Sequence, residues 1–460
     1  MQASVAAGHP ATVAAGIEIL EDGGNAADAA VASSLASCVA ETVMTGLLGG
    51  GHAMYFDAAS GRARNLDCFV SVPGLGEEPR DAELIHLDVP FGAELVHYAV
   101  GPASCAVPGL PAGLETLSRQ HGRLPWRRLV EPALQLARDG VDFPLAHAAC
   151  LAMLAPVMTM NEGAEIYSPG GTLLQGGGRL EQPGLVAALE ALLDDAVSVY
   201  RGAIATALLA LSVERGGLLT HADLDAYEAR WADPVEVGYA AGRLLTRGGL
   251  SAVPETVQRL PRLHGLDDTE RVLVLAAAFG TPADLQGDTT NVSVVDRDGN
   301  ACVITSSLGL GSGDFIPGFD LHLNSMLGEA DLLHGRLEPG SRMESMMAPL
   351  LALDDGGLSL AAGAAGGTRL RTALLSVVAG ILDEGLGAAD AVGRARFHAA
   401  PNVVNAEPGV DEAALSEFEA RGRAVRRWPA RHHYFGGVSV VSRAGAAGDP
   451  RRNGAAATIR

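Results

Sequence analysis

The chain has 460 residues, 48% hydrophobic and only 4% aromatic, with 58 glycines and a formal net charge of −21. That length allows two or three domains and a large core of Ala, Val and Leu, whereas the charge argues against nucleic-acid or anionic-membrane binding, which needs a basic face. Five widely spaced cysteines, Cys38, Cys68, Cys105, Cys150 and Cys302, follow no metal-ligand or disulfide pattern and read as reduced, mostly buried thiols.

The start, Met1-Gln2-Ala3-Ser4, shows neither a basic nor an apolar targeting region, and no apolar run could span a bilayer, so the expected setting is cytoplasmic. Pro10 to Leu20, closed by Gly23-Gly24, reads as a helix, and Asn25 caps a second, alanine-rich one from Ala26 to about Ala40. Gly46 to Gly51 is a glycine-rich turn into a strand at Ala53 to Phe56. Leu129, Ala133, Leu136 and Ala137 give Pro125 to Gly140 helical spacing. Helices are expected over Leu185 to Tyr200, over Ala203 to Arg215 and from Thr220, then a strand over Gly242 to Thr246 and a surface segment over Arg259 to Gln286. Thr372 to Leu382 is an apolar helix, and Gly436 to Val441 the final strand.

Between these parts stands Gly287-Asp288-Thr289-Thr290-Asn291, followed by the β-branched run Val292 to Val295, an Asp298-Gly299 turn and a return strand over Ala301 to Thr305. Read locally this is a hairpin with two threonines at its mouth. A break of the Asp288–Thr289 bond would leave Thr289 with a hydroxyl and a free α-amine, which titrates near pH ~8 and can serve as the base for that hydroxyl. Taken alone, the hairpin favours reading Thr289 and Thr290 as merely polar strand-entry residues.

Several blocks in order extend the pattern: Gly23 to Val31, Gly46 to Gly51, Val107-Pro108-Gly109-Leu110-Pro111-Ala112-Gly113-Leu114, Gly122 to Trp126, Thr289 to Asn300, Ser345-Met346-Met347-Ala348-Pro349 and Gly366-Gly367. With these the chain resembles, over nearly its whole length, the γ-glutamyltranspeptidase family, whose members cut themselves before a threonine. The resemblance implies an α/β, four-layer αββα sandwich of the N-terminal-nucleophile hydrolase type. It implies self-cleavage into residues 1–288 and 289–460, which share that sandwich as a heterodimer open to further dimerisation. Thr289 is then the nucleophile. Gly366 and Gly367 supply oxyanion N–H groups, typically worth ~3 kcal/mol each in the transition state. Ser307 matches a threonine that helps to hold and process the nucleophile, and it shares a strand face with Thr305. The ligand is a small molecule, with no cofactor and no metal. His9, His52, His322, His432 and His433 match no zinc-site spacing and read as core or loop histidines.

The substrate clamp departs from the family. An arginine that binds the substrate α-carboxylate is replaced by Phe69, in Asp67-Cys68-Phe69-Val70, and a phenyl ring cannot make that bidentate contact. A family asparagine becomes Gly309 and a Ser-Ser pair becomes Ser345-Met346. The Asn-Asn-x-Met block is shortened at Asn324-Ser325-Met326-Leu327-Gly328-Glu329. These changes resemble those of homologues in actinobacterial biosynthesis of 4-alkylproline units for lincomycin, hormaomycin and pyrrolobenzodiazepines, which are associated with carbon–carbon cleavage in a dopa-derived pyrroline. Phe69, Gly309 and Met346 speak against an ordinary γ-glutamyl hydrolase or transferase. The intact Asp288-Thr289-Thr290 and Gly366-Gly367 speak against a non-catalytic binding homologue.

Overall fold

Two antiparallel sheets carry the architecture in the computed structural model, which describes residues 1–77, 82–91, 94–280, 289–334 and 337–459. In chain order their strands are β1 (Ser4–Ala7), β2 (Gly50–Asp57), β3 (Arg62–Cys68), β4 (Arg230–Ala232), β5 (Val235–Tyr239) and β6 (Gly242–Thr246). Then come β7 (Thr290–Val295), β8 (Ala301–Ser307), β9 (Leu350–Asp354), β10 (Gly357–Ala365), β11 (Gly437–Ser442), β12 (Gly445–Gly448) and β13 (Ala455–Thr458). The first sheet runs β13-β1-β7-β8-β2-β3-β4 and the second β12-β11-β10-β9-β6-β5. Both sheets therefore contain strands from before and from after residue 289.

Side-chain alternation builds the layers. On β8, Cys302 and Ile304 join the core beneath α1 (Pro10–Glu21), α2 (Ala26–Ala40) and α3 (Trp126–Asp139), whereas Ala301 and Val303 pack between the sheets with Met54, Phe56, Leu245, Leu351 and Val441. On β10, Leu360, Ala362 and Ala364 face α4 (Asp268–Phe279) and α5 (Arg369–Leu382), and Ala361 faces the first sheet. The result is the four-layer αββα sandwich. Every residue of α2 is buried, and its alanines and serines allow the close approach of α1 and α3. No helix among the described residues is long and apolar enough to cross a membrane.

The expected hairpin is present and longer than its β-branched core, with Val292 opposite Ile304 and Thr290 opposite Ser306. Its turn is tied to α2. The carboxylate of Asp296 accepts from the N–H groups of Ala26 (2.9 Å), Asp298 (2.9 Å) and Asn300 (3.0 Å), while Asn25 and Asp28 close the same helix end with a capping box.

Three expectations need correction. The helix expected over Leu185 to Tyr200 spans Pro183–Asp194 and restarts only for Ser198–Arg201, because the Asp195 carboxylate accepts from Val197 N and favours a turn there. The supposed surface segment from Arg259 contains α4, which starts at an Asp267–Glu270 capping box and buries Val272, Leu275 and Phe279. Its end, to Gln286, lies outside the described residues. Strand β11 is not the last, since β12 and β13 follow and β13 pairs with β1 from Ser4↔Thr458 to Ala7↔Ala455. Those two strands are rich in Ala and Gly, residues with little intrinsic strand preference.

Because Asp296 serves a helix start and a hairpin turn at once, Asp296→Ala should leave several buried N–H groups without an acceptor. The expected loss is ~2–4 kcal/mol of folding free energy, read from urea unfolding of the purified protein.

Candidate active site

Strand β7 lies between β1 and β8, with Ser4↔Val295 on one side and Asn291↔Thr305 on the other, so its start cannot shift without breaking two ladders. Thr289 precedes its first residue and is 5% exposed. A cavity of about 30 Å³ at this point is lined by Thr289, Ser307, Gly367, Phe69, Ser345 and Met346. Met326, Glu329, Leu332, Met347 and Leu370 complete it. That is room for about one water, so a larger molecule enters only as side chains move. The three methionines, unbranched and adaptable, are suited to that.

Six residues expected at the site from the sequence thus meet around one space. Gly366 and Gly367, at φ 122° and 56°, turn the chain from β10 into α5, a path that favours glycine at both positions. Ser307 accepts a hydrogen bond at Oγ from Gly309 N at 2.9 Å. Phe69 is 1% exposed, packed with Val70, Val72, Ala106, Met326 and Met347, and stacked on His52 with ring centroids 5.8 Å apart. Burial holds His52 neutral, far below the usual histidine range.

Thr305, Gly309, Asn324 and Gly366 are not among the lining residues. The Thr305 hydroxyl lies 2.7 Å from the Asn291 side-chain amide, away from the cavity. Asn324 donates from Nδ2 to the carbonyls of Leu48 (2.9 Å) and Ala106 (2.8 Å) and accepts at Oδ1 from Ala106 N (3.0 Å). It stitches loops together, and this set of bonds leaves it no cavity contact. The Gly46 to Gly51 turn acts likewise through close backbone passage, since a Cβ on Gly49 would lie 2.2 Å from the Ser307 carbonyl oxygen. Asp288, expected at the cut, lies outside the described residues.

Several contributors carry no motif that would reveal them. Arg247 donates to the carbonyls of Ser345 (2.7 Å) and Met347 (3.1 Å), fixing the wall that holds Met346. Arg342 donates to the carbonyls of Phe69 and Glu228 and lies over the Tyr227 ring. Arg342 thus reaches the Phe69 main chain, yet both guanidiniums are engaged with main-chain carbonyls and neither lines the cavity. Glu329 does line it, and its Oε1 sits where a Cβ on Gly309 would approach to 2.3 Å. The glycine that replaces the family's asparagine thus leaves space for a carboxylate.

Behind the strand start lies a second, charged layer. Arg452 Nη1 reaches the Thr289 carbonyl at 3.4 Å. It follows Arg451, which is paired in the interior with Glu407 and with Asp449 (3.2 Å), and Asp449 also holds Arg396 at 2.6 Å. Glu41, at the end of α2, accepts hydrogen bonds from the hydroxyls of Thr12 (2.6 Å) and Thr290. Its burial pushes the carboxyl up to about 7, against the pull of those hydroxyls and of Arg452.

Comparison with known proteins agrees with this arrangement. A profile described as Gamma-glutamyltranspeptidase matches residues 12–278 and 276–459. The chain is 28% identical to "Acylase ACY 1 proenzyme" of Pseudomonas sp. (strain SE83), over 95% of this chain and 89% of that protein. Among solved structures, cephalosporin acylase from Bacillus halodurans superposes with a TM-score of 0.85 at 21% identity, covering 100% of this chain and 96% of that one. The structure of LmbA2991HD superposes with a TM-score of 0.80 at 23% identity, covering 100% and 98%.

Gly309 has φ 69°, so a side chain there is strained even before it meets Glu329. Restoring the family residue with Gly309→Asn should displace the Glu329 carboxylate and cost ~1–3 kcal/mol, measured as a lowered thermal midpoint.

Proposed function

The chain belongs to the γ-glutamyltranspeptidase family, and from that premise we propose a self-processing threonine hydrolase whose substrate is not a γ-glutamyl compound. Cleavage of Asp288–Thr289 yields fragments 1–288 and 289–460, and the new α-amine of Thr289 takes the proton of its own hydroxyl as that oxygen attacks a carbonyl carbon. The N–H groups of Gly366 and Gly367 receive the developing oxyanion, and Ser307 holds the nucleophile from β8. Collapse of the tetrahedral adduct expels the leaving group and forms a threonyl ester, which water hydrolyses to return the free hydroxyl. The name "proenzyme" of the Pseudomonas relative supports the processing step, and the word "acylase" in the same name supports acyl chemistry.

The observation that carries the specificity is the cavity lining. Around Thr289 stand Phe69, three methionines and the carboxylate of Glu329, with no cation among the described lining residues. A γ-glutamyl α-carboxylate would meet a ring where the family offers a guanidinium, and Arg342 and Arg247 would have to abandon main-chain carbonyls to reach it. We therefore favour an uncharged or cationic ring, and within that class the dopa-derived pyrroline of 4-alkylproline biosynthesis. There the bond broken after threonine addition is carbon–carbon, the electron pair leaving on a carbon conjugated with the ring imine or enamine and then taking a proton. The five free, buried cysteines suit a reducing, cytoplasmic setting.

Thr289→Ala should remain a single chain on denaturing electrophoresis, whereas the wild type should give fragments ending at Asp288 and beginning at Thr289. A full-length wild type that still turns over substrate would exclude the mechanism.

On a γ-glutamyl anilide the processed protein should be at least about a thousandfold less efficient than on the pyrroline, because a buried carboxylate without a partner costs several kcal/mol. Efficient γ-glutamyl hydrolysis would restore the ordinary transpeptidase reading.

A further inference from the structure

The carboxylate of Glu41 lies on the side of the strand start away from the cavity. Glu41 is fully buried, 249 residues from Thr290 in sequence, and its Oε2 accepts the Thr290 hydroxyl while Oε1 accepts that of Thr12. The space it fills is made by Gly8, where a Cβ would lie 2.2 Å from Oε2 and 2.9 Å from Thr290 Oγ1. Arg452 holds the carbonyl of Thr289 from the same hidden side. The first peptide of β7 is thus gripped by two charges of opposite sign, on its carbonyl oxygen and on its following side chain. Neither Glu41, Thr12, Thr290 nor Arg452 lines the cavity.

We propose that Glu41 is a positioning residue for the nucleophile, fixing the Thr289–Thr290 peptide through the Thr290 hydroxyl so that the Thr289 hydroxyl is held in line for attack. The inference rests on the self-processing role of Thr289.

An ionised carboxylate accepts from both hydroxyls as charge-assisted bonds. Once protonated, one of its oxygens carries a donor hydrogen, and the bond to the hydroxyl on that side reverses or weakens. The charged and titratable groups around it are Arg452, from the turn Pro450–Arg452, and Cys38 on α2. His147, on the helix Leu145–Met158, stands beyond them beside Arg452 and is itself held neutral by burial, at about 3. With Glu41 pushed up to about 7, the grip loosens as pH falls through neutrality. The stability balance has the opposite sign. A carboxyl raised from an ordinary value near 4.5 to about 7 adds stability that is full below the lower value and is lost as pH rises through the upper one. A neutral amide at this position escapes that loss.

The test follows self-cleavage of the freshly translated full chain by denaturing electrophoresis from pH 5.5 to 9. The chains are the wild type, Glu41→Gln, Glu41→Asp, Thr290→Val and the double variant Glu41→Gln/Thr290→Val. Wild-type cleavage should slow as pH drops through about 7. Glu41→Gln should cleave at least tenfold more slowly at pH 8, without the acid fall, and should melt no lower than the wild type above pH 7. Glu41→Asp should recover part of the rate, and the double variant should be no slower than the slower single one, as expected for residues acting as a unit. Wild-type rate and pH profile in Glu41→Gln would overturn the inference, as would losses that multiply in the double variant or a rate loss matched by a lowered melting point. A wild type that never cleaves would overturn the reading of Thr289 and this inference with it.

Discussion

The two-sided hydrogen-bond ladder of β7 is the constraint on which the rest of the structure depends. A reactive threonine at the mouth of an edge strand would move with that edge. Here β1 and β8 flank the strand, and Ala6↔Ser293 on one side and Val294↔Cys302 on the other set its register. Because side chains alternate in a strand, a slip of one residue would exchange the faces of Val292 and Ser293, placing a hydroxyl in the apolar layer beneath α2. The Ser293 hydroxyl instead donates to the Ser439 carbonyl on β11 at 2.9 Å, linking the two sheets at the strand that follows Thr289.

From that fixed strand the chemistry divides between two sides. Among the described residues the cavity side carries Phe69, three methionines, the hydroxyls of Thr289, Ser307 and Ser345, and one carboxylate, Glu329. The hidden side is rigid and ionic, with Arg451, Glu407, Asp449 and Arg396 interlocked and Arg452 and Glu41 reaching the first residues of β7. Burial alone would raise the Asp449 carboxyl, but Arg396 and Arg451 outweigh it and hold the group below its usual range. Charges buried so deeply are costly unless paired, and here the paired Arg451 stands next in the chain to Arg452, which reaches the Thr289 carbonyl.

The parts legible in the sequence were those with a local signal. The Asp298-Gly299 turn between β-branched runs marked the hairpin, and Asn25 before an alanine-rich stretch marked α2. Spacing carried α3, while the positions of Phe69, Ser307, Met346 and Gly367 followed from ordered family blocks. Illegible parts depend on distant partners. Nothing near Glu41 or Arg452 in the chain announces that they converge on residues 289 and 290, because only the folded sheets bring them there. Thr305 and Asn324 lie in family blocks as well, but their side chains are spent on Asn291 and on loop carbonyls. The alanine-glycine strands β12 and β13 lacked the β-branched residues that signal a strand, and they form because β11 and β1 offer open ladders.

The central claim is that the hydroxyl of Thr289, at a new chain start, carries the acyl group during turnover. The most direct measurement is intact-mass analysis of the processed protein, rapidly quenched with acid while turning over the dopa-derived pyrroline. The account predicts that the fragment beginning at Thr289 gains the mass of the substrate's acyl part, and that its N-terminal peptide bears the whole increment. An increment on any other peptide, or turnover by a chain still intact through residue 289, would contradict it.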